Sequence, residues 1–428
     1  MLNMMDVPEF GVARVTRFYV PLLLQAFSQC LTYPLVAGIV SHGEFGVGAL
    51  TAFSQGQMIM FMIGSLGGGL VMTGMVFAKT IEGYRSFCSL NSRMMAVLLL
   101  VQCLPVLPPF DSWLFEGFFA LPPELARLAR FTLLGSVVAN ALFFLRNVPI
   151  VVLLNNLESG KCNTGTCLRV LFTLLLAVAF PRIGLAGPYW GLLALTLGVA
   201  LETGVTWLYA RPYVRALESG GTDKTAGVGA QLRFTLPLSL GGFLLSVSPL
   251  LVAAFVGRTA NATDMLAIHY VTLGVANPVA FAALKMQAVA IEFPPEGPQD
   301  RRLLAYAIVA GALLGIVPFV FSLPCVGEWY FGVFQNVPPR ILGTTRLAIG
   351  LYSFICIIHA VRGRAEGLAA LAKRPSAVMA GQIGYTVTLF AVLAALLPLG
   401  IPGWVMAVTA VYTAPVFATV AIYAALRR

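Results

Sequence analysis

The sequence predicts an all-α polytopic membrane protein with twelve transmembrane helices, arranged as two parallel six-helix lobes that form an internal pseudo-twofold repeat. The composition indicates a membrane: 59% of the 428 residues are hydrophobic and only 10% are charged, whereas soluble domains carry about 25% charged residues. Apolar stretches near the ~20 residues that cross a bilayer recur along the chain. Matched residues 216 positions apart then indicate that the second half repeats the first.

The twelve apolar segments follow one another with mostly short connections. The first continues for more than about 20 residues beyond Arg17, so we interpret it as a membrane helix and not as a cleavable signal peptide. The second and eighth segments are long and are predicted to tilt or bend, whereas the third is short. In chain order the segments are 15–40, 47–78, 93–109, 127–153, 166–187, 188–212, 231–258, 262–292, 303–324, 340–361, 376–399 and 401–426.

A charged, Gly-rich stretch separates the sixth segment from the seventh. We therefore expect an N-lobe at 1–212 with helices one to six, a cytoplasmic linker at 213–230, and a C-lobe at 231–428 with helices seven to twelve.

The distribution of positive charge predicts the orientation of the chain. With the N-terminus in the cytoplasm, 21 of the 27 Lys and Arg residues, Arg169 among them, fall on the cytoplasmic side. We therefore expect both termini in the cytoplasm, and the short loops favour a bacterial inner membrane. The net charge of +10 is spread over many loops, so it indicates contact with lipid headgroups and not a nucleic-acid partner. The six remaining residues are Arg127, Arg130, Arg182, Arg258, Arg340 and Arg346.

The repeat is clearest in two unusual strings, WLFEGFFALPP at 113–123 and WYFGVFQNVPP at 329–339. RFYVPL at 17–22 and RFTLPL at 233–238 keep the same offset of 216. The chain has only five Trp, so matched Trp, Pro and Arg residues indicate a tandem duplication. An even number of helices in each half gives both halves the same orientation, an arrangement found in alternating-access carriers. The repeated aromatic residues suit the outer membrane interface and are interpreted as scaffold.

These features resemble the multidrug/oligosaccharidyl-lipid/polysaccharide (MOP) exporter superfamily, which implies a MATE-like fold. The resemblance rests on the six-plus-six helices, RFxxPL at the start of each half, and LPPELARLARF at 121–131. Within it, GMVFAKT at 74–80, MQAVAIEF at 286–293 and VRGRAEGLAALAKR at 361–374 look most like the progressive ankylosis protein (inorganic pyrophosphate transport regulator) family. That family resemblance implies export of pyrophosphate, ATP or citrate.

Two departures bear on energy coupling. Multidrug exporters of this superfamily often use an acidic residue in helix one, where this chain offers Gln25, Ser28 and Gln29. No GxxxxGK[ST] loop is present, so pumping driven by ATP is not expected. The three His residues form no cluster with acidic residues, so the sequence predicts no catalytic group, no metal site and no cofactor, and we expect the protein not to be an enzyme.

Several basic residues are candidates for binding an anionic substrate. Arg146 and Arg362 occupy matched positions in the two halves and can grip a phosphate or carboxylate through two hydrogen bonds each. Anchoring at the cytoplasmic headgroups, with an Arg–Glu pair, is the alternative. Arg364 follows Arg362 closely, and Lys285 lies near the inner end of helix eight, where it either attracts an anion or extends to the headgroups.

Intramembrane polar residues that the repeat does not match are further candidates, because an asymmetric substrate needs an asymmetric site. Glu202 lies about 14 residues into helix six, or ~21 Å, and its repeat partner is Ala418. We consider it a candidate for ion coupling, and an ion-paired Glu near the cytoplasmic end is the alternative. A lone His in a helix is usually a hydrogen-bonded packing residue. The uncharged candidates for substrate binding are Gln25, Gln29, Gln57, Asn140, His269 and Gln287.

The sequence thus predicts an alternating-access secondary transporter that exports a small anionic metabolite of the pyrophosphate, ATP or citrate type. We expect it to act as a monomer in the bilayer. The alternatives are a cation-coupled multidrug antiporter of the MATE type that uses Glu202, and a lipid-linked glycan flippase.

Overall fold

The structure, a computed structural model, describes residues 10–44, 46–119, 121–217, 227–297, 300–335 and 337–427. Within these ranges the regular structure is helical throughout, and twelve helices are long and apolar enough to cross a membrane. The predicted fold class and helix count are therefore confirmed. The helices are α1 (Val12–Ser41), α2 (Ala52–Phe77), α3 (Ile81–Val106), α4 (Pro123–Asn155), α5 (Ser159–Arg182), α6 (Pro188–Arg215), α7 (Val228–Val256), α8 (Asp264–Glu292), α9 (Arg302–Ser322), α10 (Pro339–Leu371), α11 (Pro375–Leu399) and α12 (Gly403–Arg427).

Three helices extend beyond the predicted segments, because charged residues inside them suggested loops. Helix α3 begins at Ile81 and not near 93, and the Thr80 side chain caps it by accepting a hydrogen bond from the backbone N–H of Gly83. Helix α5 begins at Ser159, and α10 continues to Leu371. The predicted linker at 213–230 is shorter than expected, because residues 213–215 belong to α6 and residues 228–230 to α7; residues 218–226 lie outside the described residues.

The GSLGGGL run at 64–70 interrupts α2. The chain passes from an α-helix at Gly46–Gly64 through a 3₁₀ turn at Ser65–Gly67 to a second α-helix at Gly69–Phe77. A Cβ on Gly67 would lie 2.5 Å from the Phe144 ring, so the absence of a side chain lets α4 approach. The run therefore allows close packing of α2 on α4.

The duplicated strings adopt the same local structure. Each forms a short π-helix, Trp113–Phe118 in the first half and Glu328–Phe334 in the second. Phe115 and its counterpart Phe331 are both fully buried. The backbone hydrogen bonds that end the two π-helices also match at the offset of 216. In the first half the N–H of Phe119 donates to the carbonyl of Leu114, and in the second half the N–H of Gln335 donates to the carbonyl of Tyr330. Both strings therefore anchor the start of a long helix through one buried ring.

Contacts group the described chain into two compact units. The N-unit comprises residues 27–239, and the C-unit comprises the residues up to 26 together with those from 240 onward. Helices α1 and α7 each contribute to both units, whereas the lobes predicted from the repeat divide the chain between helices. In the C-unit the Phe18 ring packs on Phe293 at a centroid distance of 5.7 Å, and in the N-unit Phe234 packs on Phe77 at 5.2 Å. These two pairs correspond at the offset of 216, so each unit has the same aromatic contact.

In the C-unit, α9 packs closely on α10 through Gly311 and Gly315. A Cβ on Gly311 would lie 2.6 Å from the Cα of Ile357 and 2.9 Å from the carbonyl oxygen of Cys356. These neighbours are backbone atoms and cannot yield without a shift of the helix. The pair forms a GxxxG motif, which allows close contact between membrane helices.

We predict that Gly311→Ala lowers the free energy of unfolding by about 1–3 kcal/mol, because the added methyl overpacks the α9–α10 contact. Thermal unfolding of the purified protein in detergent measures the change. Gly343→Ala, on α10, is the matched control, since a Cβ there meets nothing within 4 Å. Equal unfolding temperatures for the two variants would contradict the proposed close contact.

Candidate functional site

The N-unit contains a cavity of about 400 Å³, which we call the N-cavity. Helices α1, α2, α4 and α5 supply its walls. Aromatic and apolar side chains form much of the surface, and all but one of the polar side chains lie on α1, α4 and α5. The polar and aromatic residues of the wall are Gln29, Thr32, Tyr33, Phe61, Ser65, Asn140, Phe143, Phe144, Arg146, Asn147 and Arg169.

Two arginines of the N-cavity share one carboxylate. Glu202 on α6 accepts hydrogen bonds at Oε2 from Nη1 of Arg146 and from Nη1 of Arg169, each at 2.7 Å. Its other oxygen accepts a hydrogen bond of 2.5 Å from the Thr166 hydroxyl. The Glu202 side chain is 0% exposed, against 3% for Arg169 and 12% for Arg146. Both oxygens of this carboxylate are therefore occupied by groups of the protein.

Two glycines bring α5 and α6 together at this level. A Cβ on Gly198 would lie 2.6 Å from the Thr173 hydroxyl oxygen and 3.2 Å from Cγ of Arg169. A Cβ on Gly165 would lie 2.9 Å from Cγ2 of Thr206. Since neither glycine has a side chain, the two helices approach closely, and Arg169 on one helix reaches Glu202 on the other.

The charges of this cluster leave an excess of one positive charge. Arginine stays protonated in proteins, and Glu202 is held ionised between two guanidinium groups. Nε of Arg146 and Nε of Arg169 are buried without a hydrogen-bond partner among the described residues, as is the Thr32 hydroxyl. Buried donors of this kind favour a ligand that accepts hydrogen bonds. Carboxylates and phosphates are the groups that guanidinium geometry suits best.

The C-unit holds a second cavity, of about 130 Å³, which we call the C-cavity. Arg362 on α10 lines it and is 1% exposed. Its Nε donates to Glu366 at 2.9 Å, its Nη2 donates to Gln382, and its guanidinium lies 5.0 Å from the centre of the Tyr385 ring. In this unit, therefore, one arginine is balanced by one carboxylate on its own helix.

The structure divides the predicted site residues between the two cavities. Gln29, Asn140 and Arg146 line the N-cavity, whereas His269 and Arg362 line the C-cavity. The remaining candidates line neither cavity: Gln25, Gln57, Lys285, Gln287 and Arg364.

Local packing accounts for several of the candidates outside the cavities. The Arg364 guanidinium donates to the Tyr423 hydroxyl at 2.7 Å, so this arginine serves packing of α10 on α12. Lys285 lies at the junction between the two helical pieces of α8. The backbone of Gln287 lies against Gly367 of α10. Glu202, the candidate for ion coupling, is ion-paired with Arg146 and Arg169.

Sequence reasoning missed Arg169, the second arginine of the N-cavity. It was counted only among the basic residues of the cytoplasmic side, because the fifth segment was predicted to begin near 166; the helix begins at Ser159, and Arg169 is buried within it. Tyr33 and Asn147 were also missed. Asn147 directly follows Arg146, and this adjacency of an amide and a guanidinium in an apolar helix was the available signal.

Comparison with solved structures identifies the fold. A MOP superfamily transporter from Pyrococcus furiosus aligns with a TM-score of 0.73 at 16% identity, over 100% of this chain and 99% of its own. The eukaryotic MATE transporter AtDTX14 aligns with a TM-score of 0.69 at 14% identity, over 97% and 95%. VcmN, a MATE transporter from Vibrio cholerae, gives a TM-score of 0.69 at 12% identity, over 96% and 97%.

The chain is therefore an integral, multi-pass membrane protein with the fold of MOP superfamily transporters, in particular the MATE-like fold. No family model and no curated protein matches the sequence. The resemblance to the progressive ankylosis family is consequently not confirmed, and at these identities the likeness extends to the fold alone.

We predict that Glu202→Gln lowers the free energy of unfolding by about 3–5 kcal/mol, because two buried guanidinium groups lose their shared carboxylate. Thermal unfolding in detergent measures the loss. Glu328→Gln is the matched control: its carboxylate pairs with Arg346 at 3.0 Å but is 58% exposed, so its loss costs less than about 1 kcal/mol. Comparable losses for both variants would show that the buried cluster is not a special source of stability.

Proposed function

We propose that the chain is a secondary transporter that exports a small anionic metabolite by alternating access and binds it in the N-cavity. The observation that carries the proposal is the pair of arginines at Arg146 and Arg169, which share the single carboxylate of Glu202. An anionic group entering the cavity meets one uncompensated positive charge in a medium of low dielectric constant, where attraction is strong. The buried Nε atoms of both arginines supply donors for it.

The polarity of the cavity distinguishes this proposal from its main alternative, a cation-coupled multidrug antiporter of the MATE type. The structural neighbours favour that alternative, since several are MATE transporters and one is described as a multidrug resistance transporter. Glu202 argues against the antiporter, because its two carboxylate oxygens already accept three hydrogen bonds from the protein. A cation that approached this carboxylate would meet the positive charges of the two guanidinium groups bonded to it.

Fold likeness and pocket charge need not agree within this superfamily. The Pyrococcus furiosus protein is described as having a binding pocket of reverse polarity that suggests a different function. The fold therefore accommodates pockets of more than one polarity, which supports reading the substrate from the charges of the cavity. A lipid-linked glycan flippase has no specific observation in its favour.

Proteoliposomes that contain the purified protein test the proposal. Labelled pyrophosphate or citrate is loaded and its release is followed, with ethidium in a parallel sample. We expect protein-dependent anion release that unlabelled anion accelerates. Ethidium movement driven by a proton or sodium gradient, without anion release, would overturn the proposal in favour of the antiporter.

Two variants change the charge of the N-cavity in steps. Arg169→Gln leaves Arg146 balanced by Glu202 and removes the excess charge, so we expect anion release to fall about tenfold or more, a factor that corresponds to about 1.4 kcal/mol of binding energy. The double variant Arg169→Gln, Glu202→Gln restores a charge of +1 through Arg146, and we expect it to recover part of the activity. Release rates at equal protein content measure both effects.

Arg340→Gln is the matched control for the charge series, because this arginine is 72% exposed and lies outside the cavity. Its anion release should equal that of the unaltered protein. If the double variant is no more active than Arg169→Gln while both remain folded, the charge of the cavity does not select the substrate.

A further inference from the structure

The C-cavity has features of a ligand site that is separate from the N-cavity. It is lined by side chains with hydrogen-bond donors on α8, α10 and α11: His269, Asn277, His359, Arg362 and Tyr385. No carboxylate is among the residues that line it. We propose that the C-cavity binds one small monovalent inorganic anion of the size of chloride.

His269 is the side chain that most needs a ligand. It is 2% exposed, and neither ring nitrogen has a hydrogen-bond partner among the described residues. By contrast Nδ1 of the exposed His42 lies 2.6 Å from the carbonyl oxygen of Gly38. A buried polar group without a partner is costly, and His269 does not fit the expectation of a hydrogen-bonded packing residue. Its imidazole faces the C-cavity, where an anion can accept the N–H.

Arg362 and His359 supply further donors. The Nε and Nη2 atoms of Arg362 are committed to Glu366 and Gln382, but Nη1 makes no hydrogen bond with a described residue. Nδ1 of His359 is likewise buried without a described partner. Histidine nitrogens, an arginine N–H, the Asn277 amide and the Tyr385 hydroxyl thus form a set of donors around one space.

Charge and volume define the class of ligand. Because Glu366 balances Arg362, the C-cavity offers N–H and O–H dipoles without excess charge. These dipoles alone must solvate the ligand, which favours an anion with one charge over an anion with two. The share of liquid volume taken by one water is about 30 Å³, so a cavity of about 130 Å³ holds a chloride-sized ion and a few waters. Such an ion is much smaller than the metabolites proposed for the N-cavity.

Thermal unfolding of the full chain in detergent tests the site. Sodium gluconate is replaced by sodium chloride at constant sodium concentration, in the absence of any transported metabolite. We expect a saturable rise in Tm of about 2–4 °C, as for a ligand that binds only the folded state. His269→Phe places an apolar ring of similar shape in the site, and we expect it to abolish the rise.

His42→Phe is the matched control and should keep the full chloride effect, since His42 is exposed and belongs to the N-unit. Asn277→Leu is a second test, should His269→Phe fail to fold, and is expected to weaken the effect. A chloride effect that survives both variants, an equal effect of sulfate at the same ionic strength, or no effect in the unaltered protein would each overturn the proposal. None of these results depends on transport through the N-cavity.

Discussion

The carboxylate of Glu202 ties three membrane helices of the N-unit together. It lies on α6 and accepts hydrogen bonds from guanidinium groups on α4 and α5. None of the three charges is tolerable alone in an apolar interior, because an unpaired buried ion costs several kcal/mol. The charge of the N-cavity therefore depends on this one shared group, which Arg169 reaches because Gly165 and Gly198 let α5 and α6 approach closely.

In the second half of the repeat, a glutamate at a different position neutralises the matched arginine. Arg146 and Arg362 correspond in the repeat, and each is bonded to a buried glutamate. The acid lies on a neighbouring helix in the N-unit but four residues along the same helix in the C-unit, as Glu366. In addition the N-unit recruits Arg169, and so carries an excess charge that the C-unit lacks. The repeat preserves the arginine, while the divergence around it gives the two cavities different charges.

The helices could be predicted because each is a long apolar segment, and the repeat could be predicted because rare residues recur at a fixed offset. Trp113 and Trp329, for example, marked the two strings that form matching π-helices. Some helix ends were predicted less well because a charged side chain finds its partner inside the protein. Arg362 shows the reason: the tenth segment was predicted to end at 361, whereas Arg362 bonds to Glu366 on its own helix and to Gln382 on the next one. The site could be predicted only as a set of polar residues. Which cavity a residue faces depends on how its helix packs on other helices, and the sequence around the residue does not contain that information.

The sharing of α1 between the two units has a consequence for how the chain is made. The hydroxyls of Thr16 and Tyr306 lie 3.0 Å apart, and the Tyr19 hydroxyl donates to the carbonyl of Ala283. The start of the first helix therefore packs on residues that a ribosome adds more than 250 positions later. During synthesis this segment enters the bilayer long before its partners exist. The residues of the N-unit, 27–239, are all made before this contact of the C-unit can form.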